Sequence, residues 1–175
     1  GSDGDFNVAV GSQALANLTS GDRNVAVGSY ALQENTVASN NVSVGYEAGY
    51  STTIESGSTY IGTYSGKNAT GYGNVGVGMQ AAQGGSGATF TETVAVGFYA
   101  LNGLTTGASN TAVGFQALGT LTTGDSNTVL GYQAGNGLTA EGGNTLIGYQ
   151  ASGAVSSTAI GNLASASANI SVAVG

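Results

Sequence analysis

A glycine closing a short aliphatic phrase recurs along the whole chain, at Gly11, Gly28, Gly45, Gly62, Gly78, Gly97, Gly114, Gly131, Gly148, Gly161 and Gly175. The phrase first reads Asn7-Val8-Ala9-Val10-Gly11, then Asn24-Val25-Ala26-Val27-Gly28, and later Asn110-Thr111-Ala112-Val113-Gly114. Most steps between the glycines are 17 residues, with 16 and 19 in the middle and 13 and 14 at the end. Self-similarity at such a period marks a solenoid, in which each repeat is one turn and stacked neighbours bury what a single turn cannot. At ~4.8 Å per paired strand, about ten coils make a rod on the order of 50 Å long.

Within each phrase the alternation is that of a strand. The residue before the glycine is Val, Ile or Leu in every copy and usually β-branched, which suits a pleated strand. The phrases are too short for helices. Side chains two apart share a face, so Val8 joins Val10 on one side and Ala9 turns to the other. That second face is small in most copies, as at Ser43 and Gly76. Small side chains admit another backbone, so Ala9, Ala26, Ala95, Ala112, Ala159 and Ala173 are expected to line a contact between chains, with the branched aliphatics facing a thin core. Three residues after the glycine comes an alanine, as at Ala14, Ala31 and Ala117. Next stands Leu15, Leu32, Leu101 or Leu118, or else Gly49, Gly66 or Gly135, before a turn rich in Gly, Asp, Ser and Thr. The expected repeat is strand, corner, short second strand, corner. A coil this lean buries little alone, so a homo-oligomer with closed cyclic symmetry is expected. The chain divides as one repeat domain, 1–175, with regular coils over 7–57, irregular coils over 58–92, regular coils over 93–156 and short coils over 157–175.

Charge narrows the function. Nine acidic residues face two cations, Arg23 and Lys67, for a net charge of -7. Two cations cannot neutralise a phosphate backbone, which argues against nucleic acid, and an acidic surface is repelled by anionic lipid. No apolar run approaches the length of a membrane span, so no membrane insertion is expected, and no signal-peptide pattern is visible. Gly1-Ser2 reads as an expression remnant, so the chain is expected to be a piece of something longer. With no His and no Cys, the common triads and thiol sites are excluded. The acids stand singly in turns, without the fixed pair that glycoside hydrolysis requires. The chain is therefore expected not to be an enzyme and to carry no cofactor. Gly84-Gly85-Ser86-Gly87 lacks the Asp of the calcium-binding nonapeptide. A three-fold axis would gather Asp22 and Asp125, which occupy equivalent turns, but ordinary turn capping explains both, and no metal site is assigned.

Three columns remain. Asn7, Asn24 and Asn41 are expected to stack and hydrogen-bond coil to coil. Tyr46, Phe98, Phe115, Tyr132 and Tyr149 follow the glycine in phase and read as a packing column. Thr111, Thr128, Thr145 and Thr158 share a phase that would suit an ice-binding face, but Val8, Val25 and Val42 take it earlier and the phase is read as core-facing. The aromatics out of phase, Tyr50, Tyr60, Tyr64, Tyr72 and Phe90, fall where the period breaks. The stretch 83–92, in the longest repeat, is expected to protrude. Loops on rigid scaffolds commonly carry recognition, so these five are the candidate ligand-binding residues.

Ser157-Thr158-Ala159-Ile160-Gly161-Asn162-Leu163-Ala164-Ser165-Ala166, followed by Ser171-Val172-Ala173-Val174-Gly175, resembles the YadA-like head repeat of trimeric autotransporter adhesins. The longer coils, such as Asn110-Thr111-Ala112-Val113-Gly114-Phe115-Gln116-Ala117-Leu118, resemble a variant found in phage tail fibres and bacterial fibre proteins. The resemblance covers nearly the whole chain. It implies a left-handed parallel β-roll, three chains per rod, displayed extracellularly on a bacterial surface or as a virion tail fibre. The expected function is adhesion or receptor binding, toward a cell-surface glycan or protein; the alternative is a passive spacer holding a distal tip. Most coils here are longer than the compact family repeat, and no anchor domain or coiled-coil stalk is seen.

Overall fold

The computed structural model describes residues 6–175, so Gly1 and Ser2 lie outside the described residues. Every regular element described is a β-strand. In chain order these are β1 (Val8–Val10), β2 (Val25–Val27), β3 (Val42–Val44), β4 (Thr59–Ile61), β5 (Val75–Val77), β6 (Val94–Val96) and β7 (Thr111–Val113). There follow β8 (Thr128–Leu130), β9 (Thr145–Ile147), β10 (Ser152–Gly153), β11 (Thr158–Ile160), β12 (Ser165–Ala166) and β13 (Val172–Val174). Eleven of them form one parallel sheet in the order β1-β2-β3-β4-β5-β6-β7-β8-β9-β11-β13, and β10 pairs with β12 in a second. The chain is a β-solenoid of about ten turns, and no helix is long and apolar enough to cross a membrane.

Register survives every change of period. Thr59 pairs with Val75 and Val75 with Val94 across the irregular centre, and Thr145 with Thr158 and Thr158 with Val172 across the short coils. Extra residues are taken up in the turns. The stretch 83–92 does not project as expected: Ala88 bridges to Ala69, Ala88 and Phe90 are fully buried, and the exposed residues are Ser86, Gly87, Thr89 and Glu92.

The corners are left-handed backbone. Most coils carry a positive φ five residues before the phrase glycine, two after it and four after it, as at Ser109, Gln116 and Leu118. This corrects the expected short second strand. An αL residue at the Leu/Gly position breaks an extended run, so most coils turn there; Ser152 is free of a positive φ, and there the strand pair β10–β12 forms. The turns still bond coil to coil, with the Leu101 amide donating to Ala117 O at 3.0 Å and that of Leu118 to Ala134 O at 3.0 Å. At the phrase glycine itself, a β-carbon on Gly11 would lie 2.6 Å from the carbonyl carbon of Gly28. Only glycine lets successive coils approach so closely.

The two faces of the main sheet are the reverse of the expected assignment. Ala26, Ala95, Ala112 and Ala159 are 0% exposed within the single chain. They point into the coil and cannot line a contact between chains. Ala9 and Ala173 share that phase and are less covered only because they sit in the end coils. The branched aliphatics face outward instead: Val25, Val27, Val94, Val96 and Val113 are half-buried, and Leu130 is 49% exposed. The cause is room. The interior is already filled from the turn side by Leu32, Leu101 and Leu118, with Leu104 and Leu121 beside them, all fully buried.

Volume is exchanged between the two walls. Where the strand contributes Ala26, Ala95 or Ala112, the turn contributes Leu32, Leu101 or Leu118. Where the strand contributes Tyr60 or Val129, the turn contributes Gly66 or Gly135. Tyr60 fills space on three sides: a β-carbon on Gly66 would fall on its ring, one on Gly49 would lie 3.0 Å from Cδ2, and one on Gly76 would lie 3.1 Å from Cδ1. Burial pushes its phenol up to about 12, with Ser58 and Asn74 beside the hydroxyl but no well-formed hydrogen bond to it.

Gly66→Ala is therefore expected to destabilise the chain by about 2 kcal/mol or more, since overpacking costs ~1–3 kcal/mol and the αL backbone adds to it. In a Tyr60→Leu background the same substitution is expected to cost about 1 kcal/mol or less, a coupling that denaturant titration of the four chains measures.

Candidate functional site

The asparagine column is present and structural. Asn110 Oδ1 accepts from the Asn127 amide at 3.0 Å and from Asn127 Nδ2 at 3.0 Å; Asn127 Oδ1 accepts from Asn144 in the same way at 3.0 and 2.9 Å. Asn127 Nδ2 also donates to Glu141 O at 3.0 Å, tying the phrase to the turn before the next coil. These side chains are buried with their bonds made, so they hold the corner rather than a ligand. Acids cap turns: Glu141 Oε2 accepts from the Thr139 and Ala140 amides at 2.6 and 2.9 Å, which holds its carboxyl below the usual range, and Asp125 Oδ1 accepts from the Ala108 amide at 2.7 Å. No group of three or more potential metal ligands occurs among the described residues.

The five aromatics expected to bind a ligand separate. Tyr60 and Phe90 are core residues at 0% exposure, which removes them as ligand contacts. Tyr60 fills the space left by Gly49, Gly66 and Gly76, and Phe90 packs over Gly84 in the longest coil, so their departure from the repeat reflects packing. Tyr72 is exposed, at 53%, and stands apart from the clefts described below. Tyr50 and Tyr64 are half-buried and belong to one cluster with Tyr46, read from the sequence as packing, and with residues that the sequence did not join to a site.

That cluster is a shallow cleft of about 380 Å³ lined by Tyr30, Gln33, Tyr46, Glu47, Tyr50 and Lys67. The Lys67 ammonium lies 2.6 Å from Glu47 Oε2 and 4.9 Å from the centre of the Tyr64 ring. The Tyr46 ring stands edge-on between Tyr30 and Tyr64, with centroids 5.9 and 5.4 Å away and planes at 85° and 84°. Burial would raise the Glu47 carboxyl, but hydrogen bonds from Lys67 and Tyr46 and the ammonium charge outweigh it and hold Glu47 below its ordinary value. The Glu47 carboxylate in turn hydrogen-bonds the Tyr46 phenol and pushes it up to about 12. The cleft thus holds an ionised acceptor, a cation and three tyrosines in fixed relation. The signal that could have found it is the position two residues after the phrase glycine, where Tyr30, Glu47 and Tyr64 succeed one another.

The same columns continue along the rod. A second cleft, about 200 Å³, is lined by Tyr99, Asn102, Gln116 and Asn136 among others, and a third, about 270 Å³, by Gln133, Asn136 and Gln150. In this half, Gln133 Nε2 donates to Gln116 Oε1 at 2.7 Å and Gln150 Nε2 to Gln133 Oε1 at 3.0 Å. Beside the amides runs the in-phase aromatic column, which packs as expected: Phe98, Phe115, Tyr132 and Tyr149 stack with centroids 5.5, 5.0 and 5.2 Å apart and planes within 7°.

The other candidate surface is the outward face of the main sheet. Its strand positions hold only Val, Thr, Ile and Leu, as in Thr145 and Ile147, and no charge. Thr111, Thr128, Thr145 and Thr158 lie on this outward face, in register, and not toward the core.

Glu47→Gln is expected to bring the Tyr46 phenol from about 12 back toward its ordinary 10.0. Alkaline titration of specifically labelled tyrosines by NMR measures this, and an unchanged Tyr46 would contradict the described contact. Because Glu47 is held below its ordinary 4.5, the cluster is intact at and above that value and opens only as pH falls further, through the lowered one.

No family model matches the chain, and neither a curated protein nor a solved structure matches it.

Proposed function

We propose that the chain is an extracellular fibre module, displayed on a bacterial surface or a virion, in which three copies pack side by side and present a surface for adhesion or receptor binding. The observation that carries this reading is the outward sheet face. It runs the length of the rod, about 48 Å at ~4.8 Å per strand step, and every strand position on it is branched aliphatic, Thr or Leu. Soluble monomers rarely expose a continuous apolar strip of that extent, and such a strip marks an interaction site. A second copy is the partner whose coil spacing matches it rung for rung. Closed symmetry then limits the assembly, and the number three comes from the likeness of the 157–175 phrases to trimeric adhesin heads. The interface is the valine side of the sheet, in place of the alanine side that the sequence suggested. A passive spacer shares this architecture and differs only in having no ligand.

A second reading uses the same face. The outward column Thr111, Thr128, Thr145 and Thr158, beside Val113, Leu130, Ile147 and Ile160, gives a regular, uncharged lattice of the kind that orders water at an ice surface. The two readings exclude each other, because a trimer covers the lattice.

Light scattering decides. The proposal expects a mass three times the chain's 16.9 kDa, and release of monomers by Val113→Lys or Leu130→Lys, each of which would bury an unpaired charge. A wild-type monomer with thermal hysteresis would support the ice-binding reading, and a monomer without it would end both.

A further inference from the structure

We infer that the tyrosine and amide clefts form one groove for a neutral oligosaccharide, running along the rod, with its best-built subsite at Tyr30, Gln33, Tyr46, Glu47, Tyr50 and Lys67. This deepens the proposed recognition role and rests on it.

The first ground is arrangement. All three clefts fall between the same two columns, two and five residues after the phrase glycine. Tyr30, Glu47, Tyr99, Gln116, Gln133 and Gln150 come from the first, and Gln33, Tyr50, Lys67, Asn102 and Asn136 from the second. Asn136 lines two of the clefts, which makes them neighbours. Lining residues that recur at the coil spacing suit an extended polymer of repeating units, and the rise of a sugar residue in an extended glycan is close to that spacing.

The second ground is chemistry. Each Gln and Asn amide offers both a donor and an acceptor, the complement of a pair of vicinal hydroxyls. Tyrosine combines an apolar ring with a polar tip, which matches the mixed faces of a pyranose. The Glu47 carboxylate, kept ionised by Lys67 and Tyr46, retains lone pairs beyond those two bonds with which to accept from a sugar hydroxyl. Tyr46 is held edge-on by its neighbours before any ligand arrives, so little ordering is lost on binding.

The third ground is charge. The sole lysine is already neutralised by Glu47 at 2.6 Å, and Glu34 lies beside Tyr50. An anionic saccharide therefore meets no free cation in this cleft. A peptide would need an unpaired strand edge or apolar pockets, and the amide half of the groove offers neither.

The test titrates the full chain with neutral tetrasaccharides of α- and β-linked glucose, galactose, mannose and N-acetylglucosamine, with oligogalacturonate as the acidic control. Calorimetry and tyrosine fluorescence follow binding, while circular dichroism and light scattering follow fold and mass. At least one neutral tetrasaccharide is expected to bind with a Kd below about 1 mM, with an affinity that changes little between low and high salt because no net charge is exchanged. Tyr46→Ala and the near-isosteric Glu47→Gln should each weaken it about 10-fold or more, and Thr123→Ala, on a turn away from the groove, should not. Absence of binding across the panel, unchanged affinity in folded Glu47→Gln, or salt-sensitive binding of oligogalacturonate alone would each overturn the groove. Mass separates the two levels: a trimer that binds no sugar loses this inference and keeps the fibre, whereas a monomer that binds sugar keeps the groove and loses the fibre.

Discussion

Coil sits on coil with no slack at the phrase glycines, and the rest of the architecture obeys that contact. The Gly28 amide donates to Val10 O at 2.7 Å and that of Gly45 to Val27 O at 2.8 Å. With the backbone fixed at strand spacing, every side chain lies over its counterpart one turn away. A residue must then be compatible with a copy of itself. Asparagine is, because its amide donates and accepts; Gln116, Gln133 and Gln150 are for the same reason, and Phe98 and Phe115 are because flat rings stack. Like charges about 5 Å apart repel, which accounts for a chain only 6% charged, in which Glu141 and Asp125 cap turns singly and Glu47 pairs with Lys67.

Much of the fold was legible in the repeat. Period gave the solenoid, β-branched residues gave the strands, and the recurring Asn gave the internal ladder. Which face was inside was not legible from alternation, because period-two patterning separates two faces without saying which one is covered. The usual rule that the larger apolar side chain goes inward fails where leucines of the turn already fill the interior. The deciding signal was elsewhere in the repeat: Ala112 goes with Leu118, and Val129 with Gly135 and Tyr60 with Gly66. Positions that trade volume across copies share a core, and the outward set is the remainder.

Candidate site residues fared unevenly for a related reason. Tyr60 and Phe90 stood out because they broke the pattern, and they broke it to fill the interior, Tyr60 where neighbouring positions are glycine and Phe90 in the longest coil. Tyr50 and Tyr64 lie at a surface cluster, but its centre is Glu47, which occupies a regular phase and read as one more single acid in a turn. Surface chemistry here resides in the columns themselves, since stacking turns one residue per coil into a continuous lining.

The sheet face and the turn groove are different sides of the same coil, so assembly and recognition need not compete. Both depend on the interior being closed within a single chain by strand and turn together. The direct measurement is a methyl NOE between Leu118 and Leu146, which both approach the place a β-carbon on Gly135 would take. It is recorded on a sample mixing labelled and unlabelled chains. An intrachain cross-peak between these methyls is the predicted result; a cross-peak seen only between chains, or none, would contradict a core enclosed by each coil on its own.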